Sequence, residues 1–321
     1  ASLPGTQRRI EGTNTTGLLV FHSTKHAVLS DLLFINSNTL QTTSSAVRVA
    51  YGDLTLSTTT FQGCKASQGS DAGIAGGAAL RARHATVYVA GDGWTNFTAN
   101  YAGEDSEGGA VLLNNSHFIV DGKLLATKNE GRHGGFLYLH TSSLTVLKKA
   151  QLLFSKNHAR SSGGAVYASG GSGSIITILA DGTQWIENSA IWSGGVFYLL
   201  SSSLTIRGSG ALFKQNIAGY YGTAINLYDT PMLVTGNATT FQANEHYWWS
   251  SNNAKGAVSA SIWKEDSFRV EFLGASVFFL ENQAAYAASA LYLTGETVFA
   301  HLKNAIVRGN AYSAIYVSDK A

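Results

Sequence analysis

Phe154–Tyr167 reads FSKNHARSSGGAVY, and the same sentence is written along most of the 321-residue chain. An aromatic residue is followed three positions on by asparagine, then a short polar corner, then Gly-Gly-Ala, then an apolar alternation. Copies are FTAN at Phe97–Asn100, WIEN at Trp185–Asn188, FKQN at Phe213–Asn216, FQAN at Phe241–Asn244 and FLEN at Phe279–Asn282. Degenerate copies are ATKN at Ala126–Asn129 and VRGN at Val307–Asn310, and FQGC at Phe61–Cys64 puts cysteine in the asparagine slot. From Asn100 to Asn310 the asparagines are spaced 29, 28, 31, 28, 28, 38 and 28 residues apart. A period of this length marks a solenoid, in which each repeat buries its apolar face only against its neighbours.

The runs between the markers are strand-like. After each glycine pair an inward column reads Val47, Ala79, Val111, Leu137, Val166, Phe197, Ile225, Val258, Leu291, Ile315. Two residues on, a second column holds Val49, Leu113, Leu139, Ala168, Leu199 and Leu227, with Arg81 as its one misfit. The middle run repeats the alternation, as in Leu144/Val146, Ile176/Ile178, Leu204/Ile206, Phe268/Val270 and Val298/Ala300, around an outward column with Thr145, Thr177 and Thr205. Alternation with one aliphatic face is the period of a half-buried strand. Three such runs per repeat and no helical period predict an all-β, right-handed parallel β-helix of about ten three-stranded coils, with like residues stacked every ~4.8 Å. Residues 1–16 read as an N-terminal lead-in and 17–321 as a single β-helix domain. Each asparagine is expected to stack at a corner, bonding the next coil's amide or a turn carbonyl, while the paired glycines admit a backbone that a Cβ would obstruct.

Composition narrows the function. Charged residues are 13% of the chain and the formal net charge is +2, which gives no footprint for nucleic acid. No apolar run approaches the roughly 18 residues that span a bilayer. The single cysteine, Cys64, excludes an intrachain disulfide and is expected as a small buried thiol. The chain begins with Ala1 and shows no basic-then-apolar leader, the look of a mature or trimmed product. It stops after AIYVS, within a coil, so another chain or further sequence is expected against that end.

FxxN alternating with GGA[VIL] between Phe34 and Val317 resembles the repeats of chlamydial polymorphic membrane proteins, and more broadly autotransporter passengers and pectin-lyase-like β-helices. The resemblance implies a surface-exposed, adhesive right-handed helix. The 321 residues do not include the membrane barrel of the autotransporters, and the same repeats also occur in large eukaryotic surface proteins.

On a rod of this kind, function belongs to outward columns and to corners that break the period. The outward column Arg48, Leu80, Leu112, Tyr138, Tyr167, Tyr198, Asn226 places three tyrosines on consecutive coils. Beside it, Ala110, Ala165, Ala224, Ala290 and Ala314 are expected to form a flat outer face. Such a ladder suits a sugar-ring platform or a protein interface, or it reflects the preference of tyrosine for exposed sheet. A second candidate is the lengthened corner Glu245–Lys255, with Tyr247, Trp248 and Trp249 at its tip and Tyr220 and Tyr221 on the preceding coil; exposed aromatics there point to a contact. A third is acidic: Asp71, Glu104, Asp105 and Glu107, near Arg132 and His133. Grouped carboxylates could hold calcium or work on a glycosidic bond, but solvated loop charge is the better reading, since no grouped aspartates on one strand accompany them. Sequons at Asn14, Asn96, Asn114 and Asn237 would carry glycans in a secreted eukaryotic product. These features together predict a non-enzymatic extracellular or cell-surface module, structural or adhesive, without cofactor. Its partners would be other protein chains or copies of itself in an assembly or filament, with surface glycans a further option. The alternative is a polysaccharide-processing enzyme or carbohydrate-binding module on the same fold.

Overall fold

Residues 7–11, 18–39, 45–66, 75–170, 173–246, 257–261, 268–274, 276–283, 288–294, 298–310 and 313–318 are described by a computed structural model. They wind into a parallel β-solenoid of about nine turns. Its three main sheets contain eleven, eleven and ten strands, and every pair is parallel. The strand after the glycines (Val166–Ser169, for example) belongs to what we call the alternating sheet, Ile175–Ile178 to the middle sheet and Gln184–Ile186 to the aromatic sheet. Corner strands of two residues, such as His158–Ala159 and Ser189–Ala190, add a small five-stranded sheet between the aromatic and alternating ones. The lead-in already contributes to the stack: Arg8–Glu11 pairs with Leu32–Ile35, placing Ile10 opposite Phe34.

The aromatic column stands in single file. Phe34, Phe61 and Phe97 stack with centroids 4.8 and 4.9 Å apart, and Phe213, Phe241 and Phe279 stack at 4.8 and 5.1 Å. In the repeat where the marker aromatic is Ala126, the file is completed from another position. Phe136 replaces the alanine of Gly-Gly-Ala and sits 5.4 Å from Phe97 and 4.8 Å from Phe154. That contact corrects the expected flat outer face. Ala110, Ala165, Ala224 and Ala290 are fully buried and belong to the core; their column points inward, and alanine there leaves room for the neighbouring ring. The side chain of Ala314 lies outside the described residues.

Two ladders of polar side chains close the corners. Oδ1 of Asn157 accepts from both the backbone N–H and Nδ2 of Asn129, at 3.1 and 2.9 Å. Nδ2 of Asn157 donates onward to Oδ1 of Asn188 and to the carbonyl of Ala126, both at 2.9 Å. The pattern holds from Asn100 to Asn310. Both amide protons and both oxygen lone pairs are thereby used, which is what a buried carboxamide requires. The residue before each asparagine from Asn100 to Asn282 (Ala99, Lys128, Lys156, Glu187, Gln215, Ala243 and Glu281) has a φ between 49° and 57°, and this left-handed residue makes the bend. At the opposite corner Ser116, Ser142, Ser174, Ser202 and Thr230 form a hydroxyl ladder, each oxygen accepting the backbone N–H of the residue one coil earlier.

Gly163 and Gly164 show why the glycines come in pairs. Gly163 has φ +72°, in the left-handed region. A Cβ on Gly164 would lie 2.0 Å from the Gly195 carbonyl oxygen of the next coil. Cys64 is fully buried, as expected, and burial pushes its thiol pKa up to about 12. Its backbone N–H donates to Oδ1 of Asn100 at 3.0 Å, so cysteine ends the asparagine ladder.

Register differs from the sequence alignment in two coils. Leu80 and Ala82, not Ala79 and Arg81, align with Val47 and Val49, so Arg81 lies in the outward row beside Arg48 and the misfit vanishes. In the middle sheet Val270 and Phe272 align with Met232 and Val234. Phe268 and Val298 thus pair one step before that core position, and Ala300 is exposed. In both cases the corner before the strand has a length the neighbouring coils do not share.

The compensation at Phe136 is testable by chemical denaturation. Phe136→Ala is expected to cost about 3–5 kcal/mol, and adding Ala126→Phe to recover about 2 kcal/mol or more. If the two losses simply add, the rings do not share one file.

Candidate binding surface

On the outer side of the alternating sheet, Tyr138, Tyr167 and Tyr198 stack with centroids 5.2 and 5.1 Å apart and rings within 6° of parallel. The ladder exists, but it is covered rather than open. Tyr138 is only 8% exposed, and Leu112 in the same row is fully buried. Tyr167 and Tyr198 are half-buried. The corner carrying His133 lies against the ladder, with its ring 4.6 Å from that of Tyr167, and the Tyr138 hydroxyl bonds Ser169 Oγ at 3.2 Å. Burial, chiefly, raises the pKa of all three phenols. The rings therefore present edges to solvent, with their faces taken by one another.

The acidic residues separate into two pairings. Glu107 is held by Nδ1 of His133 at 2.8 Å, with both side chains mostly buried. Exposed Glu104 meets Arg160 at 3.0 Å, and the same guanidinium bonds Glu130 at 2.7 Å while lying 5.4 Å over the Tyr101 ring. Asp105 is exposed, and Asp71 lies outside the described residues. No group of three or more His, Cys, Asp or Glu among the described residues is placed to hold a metal ion.

Further along the same corner the chemistry turns apolar. Trp192 is 57% exposed and Ile191 39% exposed. The ring of Trp192 lies 5.5 Å from that of Tyr220, and its carbonyl accepts the Tyr220 backbone N–H at 2.6 Å. Tyr221 is bridged to Ser193 beside them, and both tyrosines are half-buried. Tyr247, Trp248 and Trp249 lie outside the described residues. Trp192 escapes a search for lengthened corners because its own corner, SAIWSGG, has ordinary length. The signal that finds it is its slot, two residues before the glycine, where Arg132, Ser161 and Tyr220 stand in other coils.

Of the sequons, Asn237 is exposed, whereas Asn96 and Asn114 are half-buried, Asn96 bonding Thr60 Oγ1 at 3.2 Å. Ser116, the hydroxyl residue of the Asn114 sequon, is a rung of the buried ladder. Asn14 lies outside the described residues. No helix among the described residues is long and apolar enough to cross a membrane. Comparison with known proteins gives no match: no family model fits the chain, and no curated protein or solved structure matches it.

At the end of the small corner sheet His246 donates from Nδ1 to the Ala218 carbonyl at 3.2 Å, and its Nε2 is buried without a partner among the described residues. Burial lowers its pKa from 6.5 to about 4. The imidazole is thus neutral in the folded state down to that pH, while the unfolded chain takes up a proton near pH 6.5. The stability this contributes is present above about pH 6.5 and is lost as pH falls towards 4, amounting to about 3 kcal/mol by linkage. His246→Gln is expected to remove that part of the acid sensitivity in denaturation curves between about pH 7 and about pH 4.5; an unchanged slope would contradict the buried neutral ring.

Proposed function

We propose that this protein is a non-enzymatic structural or adhesive module of the extracellular space or cell surface. Its working face is the corner bearing Ile191, Trp192 and Tyr220, and its occupant is another protein chain, in the simplest case a second copy. The observation that carries the reading is Trp192, an indole more than half exposed at a corner whose backbone is bonded coil to coil. A large apolar side chain held rigidly in water loses little conformational entropy on association and gains the burial of its ring. The acidic corner supports the same reading. Glu107 is paired with His133 and Glu104 with Arg160, and such oriented charge pairs can set orientation at the rim of an interface. The exposed Asn237 is consistent with a secreted product.

Sedimentation velocity across micromolar to sub-millimolar protein tests the self-association arm. The wild type is expected to associate with concentration. The variant Trp192→Ala/Tyr220→Ala, melting within about 2 °C of wild type as surface changes should, is expected to weaken association at least ~10-fold, about 1.4 kcal/mol. A wild type that stays monomeric throughout, or a variant that associates equally well, refutes this face as a contact between copies.

A further inference from the structure

Near the N-terminal end of the alternating sheet, three arginines share one outer face. Register sets Val20, Arg48 and Arg81 side by side in one row, and His22, Ala50 and Arg83 in the row two residues on. Adjacent strands are about 4.8 Å apart and alternate residues about 6.7 Å, so the three side chains spring from neighbouring points. Ala50, the small member between His22 and Arg83, leaves a hollow of about 220 Å³ lined by all three arginines together with His22 and Tyr51. Its rim is aromatic: Tyr51 meets His22 edge-on at 5.6 Å and stacks on His84 at 5.1 Å.

Like charges directly opposite one another on paired strands destabilise a sheet. Arg48 faces Arg81 in that way. Among the described residues no carboxylate forms an ion pair with Arg48 or Arg83. Burial first, and the charges of Arg48 and Arg83 after it, lower the pKa of Arg81. The whole chain has a formal charge of only +2, so this is a local accumulation and not the drift of a basic protein.

We propose that the hollow over Ala50 is a binding site for a tetrahedral oxyanion, sulfate or phosphate, held by Arg48, Arg81 and Arg83. A single guanidinium fork already satisfies the two oxygens of a carboxylate. Three guanidiniums suit an ion with more acceptor oxygens and a double charge. The ring surfaces of Tyr51 and His22 would then flank whatever bears the oxyanion, and a free ion would leave them unused.

Calorimetric titration of the full chain with sodium sulfate and sodium phosphate, at ionic strength matched by sodium chloride, tests the site. Saturable binding is expected, and each anion should raise the melting temperature where chloride does not, because a ligand of the folded state stabilises it. Arg48→Gln/Arg83→Gln should weaken binding at least tenfold. Ala50→Phe should do the same by filling the hollow while keeping every charge. Should a variant fail to fold, the arginine Nε–H resonances of the wild type decide: those of Arg48, Arg81 and Arg83 should move together with sulfate while those of Arg8 and Arg9 stay. Glucose 6-sulfate identifies the bearer of the group. Tighter binding than free sulfate assigns a sugar-borne ester that uses the aromatic rim, and equal binding assigns the free ion; both outcomes uphold the site. Responses equal to those of chloride, binding undiminished in the variants, or shifts at other arginines alone would overturn it, and would mean that the protein's own groups already neutralise the cluster. None of these outcomes depends on the Trp192 face.

Discussion

The asparagine ladder is the interaction on which the other contacts depend. A parallel β-solenoid must turn its backbone several times per coil, and each turn strands polar groups beside a dry core, where an unpaired group costs about 1–3 kcal/mol. A carboxamide has two donors and an acceptor with two lone pairs, which matches the demand of this corner. Asn188, for example, binds the amide of Asn157 in the coil before, the carboxamide of Asn216 in the coil after and the carbonyl of Phe154, the marker aromatic of the coil before. Serine or threonine at the hydroxyl corner takes only one amide from its neighbour, and there the oxygen turns back to a carbonyl two residues earlier. Because each asparagine's partners lie one coil away, the ladder fixes the coils to one another and leaves their lengths free. Intervals of 28 and 38 residues between consecutive asparagines both preserve it.

That freedom organises the outside of the molecule. Because the ladder restores register at every coil, inserted residues are accepted at the corners, chiefly between asparagine and glycine and also before the middle strands at Ile175 and Phe268. The small corner sheet carries the asparagine-to-glycine corner over the tyrosine row, and it presents first an ion-paired and then an apolar surface along its length. The N-terminal coils offer a different surface, in which small Ala50 between larger side chains opens a hollow. The core meets its own demands by substitution within a file. Phe136 fills the space Ala126 leaves, and Trp185 occupies a phenylalanine position with its Nε1 buried and without a hydrogen-bond partner among the described residues.

Period and alternation made the fold legible in the sequence, since both express stacking directly. The asparagine columns, the aromatic file, the three sheets and the buried Cys64 are all visible there. Register within two coils was not. Ala79 and Leu80 are both apolar and both buried, so alternation alone does not say which of them aligns with Val47. The inward turn of the alanine column was missed for a related reason. Two successive residues, Phe136 and Leu137, both enter the core at a corner, which breaks the rule of two that holds inside a strand. The hydroxyl ladder was hidden because serine is common in every loop of this chain. Of the surface, the tyrosine row was legible as a row, but its cover was not, because the covering corner belongs to a sheet of two-residue strands that no alternation reveals.

Side-chain amide exchange of selectively 15N-labelled asparagines measures the ladder most directly. Asn129, Asn157, Asn188, Asn216 and Asn244 are predicted to exchange their Nδ2 protons only through large-scale opening, as slowly as the slowest backbone amides within about a factor of ten. Exposed Asn304 should exchange at the rate of a free carboxamide. Fast exchange at all five, in a chain that still shows its β-sheet spectrum, would mean that these corners are not closed coil on coil and that the stacking described here is wrong.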